Sequence, residues 1–362
     1  MIDYSNPKLL VESAKLSKGQ VTWKSPSNLA IVKYWGKHGI QLPRNPSISM
    51  TLNNAHTITR VSYEARTDFE RLFEIDFMFH GERMESFEGK ISNFFEQLLP
   101  IYPFLKQVKW TIESENSFPH SAGIASSASA MSALALCLCS VEDELFGTLS
   151  DDKAFDQKAS YLARLGSGSA SRSVYSKWSV WGQSGAVEGS SDEFAIAYHT
   201  MVHPVFNTFH DDILIVSRAE KSVSSTAGHQ LMEGNPFAGV RYQQANKRLE
   251  DLCVSMKKGD VEHFGKIAED EALTLHALMM ASNPSYLLVE PGSIEMIKRI
   301  REFRADTKHP VYFSLDAGPN IHLLYPEEVV HAVRPFVESE LAPLCVDGFW
   351  INDWCGDGPE QL

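Results

Sequence analysis

Between Phe118 and Leu136 the sequence runs FPHSAGIASSASAMSALAL. A proline, a glycine and a cluster of small hydroxyl residues lead directly into Ala130-Met131-Ser132-Ala133-Leu134-Ala135-Leu136, a run of strong helix formers without a charge. The pattern predicts a loop delivered onto a helix N-terminus. Such a terminus presents unpaired backbone N–H groups and the positive end of the helix dipole, and small residues let a phosphate approach the main chain. Ser126, Ser127 and Ser129 can add hydroxyl donors. The same residues also suit a Ser-capped, Ala-rich core helix. Neither GxxxxGK[ST] nor GxGxxG is present, so neither a P-loop nor a dinucleotide fold is signalled.

A chain of 362 residues, 43% apolar and 22% charged, is long enough for two domains of ordinary size, each with a core. The uncharged stretch from 116 to 141 is too rich in serine to cross a membrane, and its purely apolar run is too short. The N-terminal MIDYSNPKLLVES has neither an apolar h-region nor an Arg-rich amphipathic pattern, so a cytoplasmic location is expected. Five cysteines, an odd number with no CxxC pair, read as reduced structural thiols. A net charge of −13 argues against a nucleic-acid partner, which would call for a basic face. An anionic small substrate would need a local cluster of cations.

Ser25-Pro26-Ser27-Asn28 reads as a turn or loop, followed by a short buried strand, Leu29 to Val32. That strand delivers Lys33, Tyr34, Trp35 and Lys37 together, with Gly36 allowing close approach. Two lysines flanking two aromatics suit an anion pocket, and equally a surface strand with solvated lysines. Arg44 is a third candidate cation. Strands are predicted at Ser47 to Leu52, Thr57 to Ala65, Phe73 to Phe79 and Val108 to Ile112, with a helix over Lys90 to Leu99. LGSGSASRSV, residues 165 to 174, is a linker, a tight turn, or a site where Arg172 forks onto a carboxylate or phosphate. It holds no GxSxG elbow. His199, His203 and His210 lack an HExxH context, and Pro204 interrupts any helix there, so no metal site is assigned.

We divide the chain into domains 1–204 and 205–362. The second opens with the strand Ile213 to Val216 and continues through the polar loop Lys221 to Gly228. Helices are expected over about 237 to 257, 261 to 281 and 294 to 303, and a last one over Glu327 to Leu341, before a frayed tail. Val311 to Asn320 is a strand running into a tight turn, where Asp316 either stabilises the turn or is a functional carboxylate on a rigid scaffold. The fold class is α+β.

Taken together, SPSNLAIVKYWGK, FPHSAGIASSAS, GSGSASRS and FSLDAGPN closely resemble the mevalonate diphosphate decarboxylases of the GHMP kinase superfamily, in that family's order and spacing. KSVSSTAGHQ resembles the family's loop after the first strand of the second domain. The resemblance implies a two-domain GHMP kinase fold, with a ribosomal protein S5 domain 2-like N-terminal domain, a ferredoxin-like C-terminal domain and the site in the cleft between them. It implies ATP with Mg²⁺, mevalonate 5-diphosphate as substrate, and isopentenyl diphosphate, ADP, phosphate and CO₂ as products. Relatives are often homodimers.

By the same resemblance Asp316 orients the substrate's 3-hydroxyl or accepts its proton, Lys33 keeps Asp316 ionised, and Arg172 holds the substrate carboxylate. Tyr34, Lys37, Ser167, Gly168 and Ser169 bind the phosphate end, and Trp35 shapes the pocket. Ser121, Gly123, Ser126, Ser127 and Ser129 take the ATP phosphates. Arg44, Pro46 and His120 depart from the family's usual residues where the 5-phosphate end or the nucleotide should sit. They bear on the substrate's phosphate count: relatives acting on mevalonate 5-phosphate share the Asp, Lys and Arg logic. A GHMP kinase that stops at the phosphorylated product, and a catalytically silent binding protein on this scaffold, are the other readings. The set Asp316, Lys33 and Arg172 counts against both.

Overall fold

The computed structural model describes residues 2–12, 16–118, 125–219 and 222–362. His120, Ser121, Gly123 and Lys221 therefore lie outside the described residues. In chain order the first half contains β1 (Gly19–Val32), β2 (Lys37–His38), β3 (Leu42–Pro43), β4 (Ser47–Ala65), β5 (Glu74–Phe79), β6 (Glu82–Arg83), α1 (Glu85–Leu98), β7 (Val108–Asn116), α2 (Ser126–Phe146), α3 (Asp152–Gly166), β8 (Trp178–Trp181) and β9 (Ala195–Ala197). The second half contains β10 (Phe209–Leu214), α4 (Ser225–Leu231), α5 (Ala238–Lys258), α6 (Val261–Met280), α7 (Pro291–Thr307), β11 (Tyr312–Ser314), β12 (Ile321–Pro326), α8 (Val330–Phe336), β13 (Trp350–Trp354) and β14 (Glu360–Gln361).

An eight-stranded sheet carries the order β14-β1-β4-β7-β5-β6, with β8 and β9 attached through the first half of β4. The pairing is antiparallel except between β5 and β7. Ser25 to Asn28, expected to be a turn, is instead the middle of the 14-residue β1. Pro26, which has no N–H to offer a ladder, sits where the register against β4 shifts. The polar side chains beside it find partners inside: Ser25 Oγ lies 2.5 Å from Ser132 Oγ, and Asn28 Nδ2 donates to Ser173 Oγ at 2.7 Å. Helices α1, α2 and α3 cover the sheet through a core that includes Phe95, Trp110, Leu136 and Leu162.

The second sheet is antiparallel with the order β11-β12-β10-β13. A further core joins the two sheets, since Leu29, Ile31, Ile48 and Met50 pack in one cluster with Phe209, Ile213, Leu249 and Phe264. The helix expected over Glu327 to Leu341 is broken into a 3₁₀ turn, α8 and a π-helical turn, with Pro335 inside α8 removing a backbone donor. The tail is not frayed. β13 pairs with β10, β14 pairs with Trp23 and Lys24 of β1, and the buried Asp353 carboxylate accepts the N–H groups of Asn53, Asn54 and Ala55 at 2.7, 2.9 and 2.7 Å.

Candidate active site

Lys33 is the first residue past the end of β1 and is 2% exposed. Its Nζ donates to Asp316 Oδ1 at 2.9 Å, bringing together a strand of the first sheet and the turn that follows β11. Asp316 keeps 24% of its side chain accessible, so one partner is buried and the other faces a cavity. The turn is closed by Gly318 N–H on Asp316 O at 2.8 Å, and His276 Nε2 lies 3.1 Å from the same carbonyl.

The main chain of Lys33 is held from both halves of the molecule. Its N–H donates to Glu271 Oε2 of α6 at 2.8 Å, and its carbonyl accepts from Arg241 Nη2 of α5 at 3.1 Å and from Asn45 Nδ2 at 3.0 Å. Arg241 also forks onto both oxygens of Glu271 at 2.6 Å, and Arg248 adds a contact at 2.8 Å. Burial alone would raise the Glu271 pKa. The hydrogen bonds and charges of the two arginines outweigh that, and the carboxyl is held below its ordinary value. A buried pair with complete bidentate geometry is the form in which such charges are tolerated.

Lys33, Tyr34, Trp35, Lys37, Ser167, Gly168, Ser169, Arg172 and Asp316 all line one cavity of about 220 Å³. Arg172, in a 3₁₀ segment after α3, is 2% exposed. Its guanidinium donates to Ser47 Oγ at 2.7 Å and Asn28 Oδ1 at 3.3 Å, both neutral oxygens, and makes no ion pair within 4.0 Å among the described residues. Burial lowers its pKa to about 10, opposed by the nearby Asp316 and Tyr34, so it remains a cation at neutral pH. Burial also pushes Lys37 below its ordinary value, and its Nζ donates to Gln41 Oε1 at 3.1 Å. The Tyr34 hydroxyl is buried without a hydrogen-bond partner among the described residues. Cations and polar donors thus outnumber the single carboxylate among the described lining residues, a lining whose chemistry suits an anion.

Ser127 lines the same cavity, and its Oγ lies 3.3 Å from Ser167 Oγ, so the start of α2 meets the glycine-serine segment after α3. The α2 terminus has no side-chain cap, and Ala125 before it is left-handed with φ of 48°, a conformation that costs a non-glycine residue energy. Ser126 and Ser127 also border a second, more apolar cavity of about 510 Å³, walled by Phe77, Phe87, Phe94, Ile112, Met131 and Leu134. Ser129 does not share their position. It is fully buried, with Oγ 2.6 Å from Thr57 Oγ1 and donating to Ser126 O, so it packs α2 onto β4 instead of facing either cavity. Arg44 is exposed and borders neither cavity.

Sequence reasoning overlooked several lining residues: Asn28, Gln41, Ser225, Thr226 and His229. Glu271 carried a signal, because it stands between Ala268 and Leu275 on the apolar stripe of α6, where an unpaired carboxylate would be costly. Among the described residues no group of three or more His, Cys, Asp or Glu could hold a metal ion. No described helix is long and apolar enough to cross a membrane.

Two family models match the chain in order: the diphosphomevalonate decarboxylase-like N-terminal domain over residues 25–195, and the mevalonate 5-diphosphate decarboxylase C-terminal domain over residues 212–347. The diphosphomevalonate decarboxylase of Debaryomyces hansenii is 30% identical over 320 residues, covering 84% of this chain and 79% of its own. Among solved structures, MDDEF in complex with MVAPP, AMPPCP and magnesium is 26% identical with a TM-score of 0.79, covering 96% of this chain and 99% of that one. The mevalonate diphosphate decarboxylase of Staphylococcus aureus is 25% identical with a TM-score of 0.80, covering 97% and 100%. With both halves matched in order and 30% identity over most of both sequences, the chain belongs to the diphosphomevalonate decarboxylase family.

Proposed function

We propose that this chain catalyses the ATP-dependent decarboxylation of mevalonate 5-diphosphate to isopentenyl diphosphate, releasing ADP, phosphate and CO₂. The observation that carries the proposal is the Lys33–Asp316 contact of 2.9 Å in a cavity that also holds the buried Arg172 cation. Asp316 orients the substrate's 3-hydroxyl and accepts its proton as the oxygen attacks the γ-phosphorus of ATP and ADP leaves. Phosphorylation turns a poor leaving group into a good one. Phosphate then departs with the C–O electron pair, and the C–C bond to the carboxylate breaks to give CO₂, its electrons forming the double bond. Asp316 passes the proton to the departing phosphate and, ionised again, stabilises positive charge at the carbon left behind, while Lys33 fixes the carboxylate and faces the transferring phosphoryl group.

Arg172 holds the substrate carboxylate by its guanidinium fork. Tyr34, Lys37, Ser167, Gly168 and Ser169 receive the diphosphate, with Trp35 as a wall. Ser126, Ser127 and the α2 terminus receive the ATP phosphates, and the apolar 510 Å³ cavity beside them takes the nucleoside. Mg²⁺ fits a site whose described carboxylate is Asp316 alone, because this ion keeps water and binds chiefly through substrate phosphates; Ser127 is the hydroxyl placed to join them. When bound, it neutralises phosphate charge in the transfer. The division at 204/205 places the nucleotide side in the first domain and Asp316 in the second.

We assign the enzyme to the cytoplasm as a homodimer; five buried free cysteines accord with a reducing compartment, and light scattering on the purified protein tests the dimer. The activity is tested by incubating the protein with Mg-ATP and, separately, mevalonate, its 5-phosphate and its 5-diphosphate, following ADP and CO₂ together. Equal release of both with the diphosphate supports the proposal. Turnover with the monophosphate alone, or ADP without CO₂, overturns it.

A further inference from the structure

Helix α4 brings into the cavity a side chain to which the roles above give no task. His229 is 8% exposed, and its Nδ1 accepts the Gly36 N–H at 2.9 Å. The ring lies between Tyr34 and Trp35, with centroids 4.3 and 4.6 Å away. An acceptor Nδ1 fixes the tautomer: the neutral ring carries its proton on Nε2. Nε2 makes no hydrogen bond to a described residue. Burial, then the positive charges of Lys37 and Arg172, disfavour the imidazolium and push the pKa down to about 3. The two tilted ring contacts and the Gly36 bond therefore hold an uncharged N–H donor at the wall of a cation-lined cavity.

We propose that His229 is a substrate-binding residue, its Nε2–H donating to an oxygen of the diphosphate that Lys37 and Tyr34 also contact. This rests on the reading of the cavity as the site for a phosphorylated mevalonate. A neutral donor adds a directional hydrogen bond where the Lys37 cation already supplies charge, so it sharpens selection instead of adding attraction. Sites built to bond a substrate group reject analogues that lack it, because the buried donor is then left unpaired. His229 thereby helps the enzyme refuse unphosphorylated mevalonate.

Three substitutions separate ligand binding from mere support of the Gly36 turn. Asn places its side-chain oxygen near the position of Nδ1, Gln places its amide nitrogen near that of Nε2, and Phe supplies neither. We expect His229→Phe and His229→Asn to raise the KM for mevalonate 5-diphosphate by about tenfold, with the KM for ATP unchanged, and His229→Gln to recover most of the loss; about tenfold is the effect of one hydrogen bond of ordinary strength. Rescue by Asn but not Gln overturns the proposal. In the unaltered protein with ¹⁵N-labelled histidine, mevalonate 5-diphosphate or inorganic pyrophosphate should shift the His229 Nε2–H signal, while mevalonate should not. An unmoved signal at saturating diphosphate overturns the proposal even if CO₂ is released. A pyrophosphate shift without turnover of any mevalonate derivative would sink the decarboxylase reading and leave the anion donor standing.

Discussion

Glu271, on a helix of the second half of the molecule, accepts the backbone N–H of Lys33 at 2.8 Å while clasping Arg241 through both its oxygens. The lysine that touches Asp316 is thus also fixed by its main chain, through residues that do not line the cavity. Glu271→Gln retains an acceptor but leaves the buried Arg241 and the half-buried Arg248 short of a charge. We expect a loss of about 3 kcal/mol in urea unfolding, as for other broken buried pairs, and a fall in kcat larger than any rise in the KM for ATP. Unchanged kcat in the folded variant would reduce the clasp to a purely structural role.

Asp316→Asn keeps the shape of the turn and can still accept a hydrogen bond from Lys33 Nζ. It loses the base. The variant should fold and bind ATP normally and release CO₂ between about 10² and 10⁴ times more slowly, the usual range for general acid–base catalysis. Wild-type CO₂ release would remove Asp316 from its role.

A methyl group at Gly168 would come within 2.7 Å of Trp181 Cη2 and 2.9 Å of Tyr34 Oη. Gly168→Ala must therefore displace the tyrosine from the cavity or shift the segment carrying Arg172. Overpacking of this kind costs about 1–3 kcal/mol. We expect it as a raised KM for the mevalonate substrate, measured by steady-state kinetics, with a smaller effect on ATP.

Ala130 borders the apolar cavity and not the anion cavity. Ala130→Phe should fill the space assigned to the nucleoside and raise the KM for ATP while sparing that for the mevalonate derivative. The reverse pattern would move the nucleotide elsewhere.

His229 also predicts a pH effect on stability. Its folded pKa, about 3, lies below the unfolded value of 6.5, so between these values the unfolded chain binds the extra proton. Stability then falls as pH drops through that window, by at most about 1.4 kcal/mol per unit from this group. Urea midpoints at pH 7 and pH 5 should differ less for His229→Gln than for the unaltered protein, and an equal difference in both would show that His229 does not carry the effect.

Much of the site was legible because its residues sit in short, chemically marked stretches. KYWGK, GSGSASRS and DAGPN each end an element and turn their polar groups onto one cavity. What stayed hidden depends on contacts far apart in the chain. Ser25 to Asn28 reads as a turn until Ser132 and Ser173 are seen to satisfy it inside. Ser129 looks like its neighbours Ser126 and Ser127, and only the helix rotation that sets it against Thr57 distinguishes them. The tail INDWCGDGPEQL carries turn residues throughout, and its order comes from three N–H groups on Asp353 supplied 298 to 300 residues earlier.

The core shared by the two sheets bears on how the protein is made. Leu29, Ile31, Ile48 and Met50 leave the ribosome well before Phe209, Ile213, Leu249 and Phe264, the residues they pack against. Translation proceeds at about 5–20 residues per second, so a nascent first half must carry an uncovered apolar face for roughly ten seconds or more. During that interval the growing chain is a natural client for a chaperone.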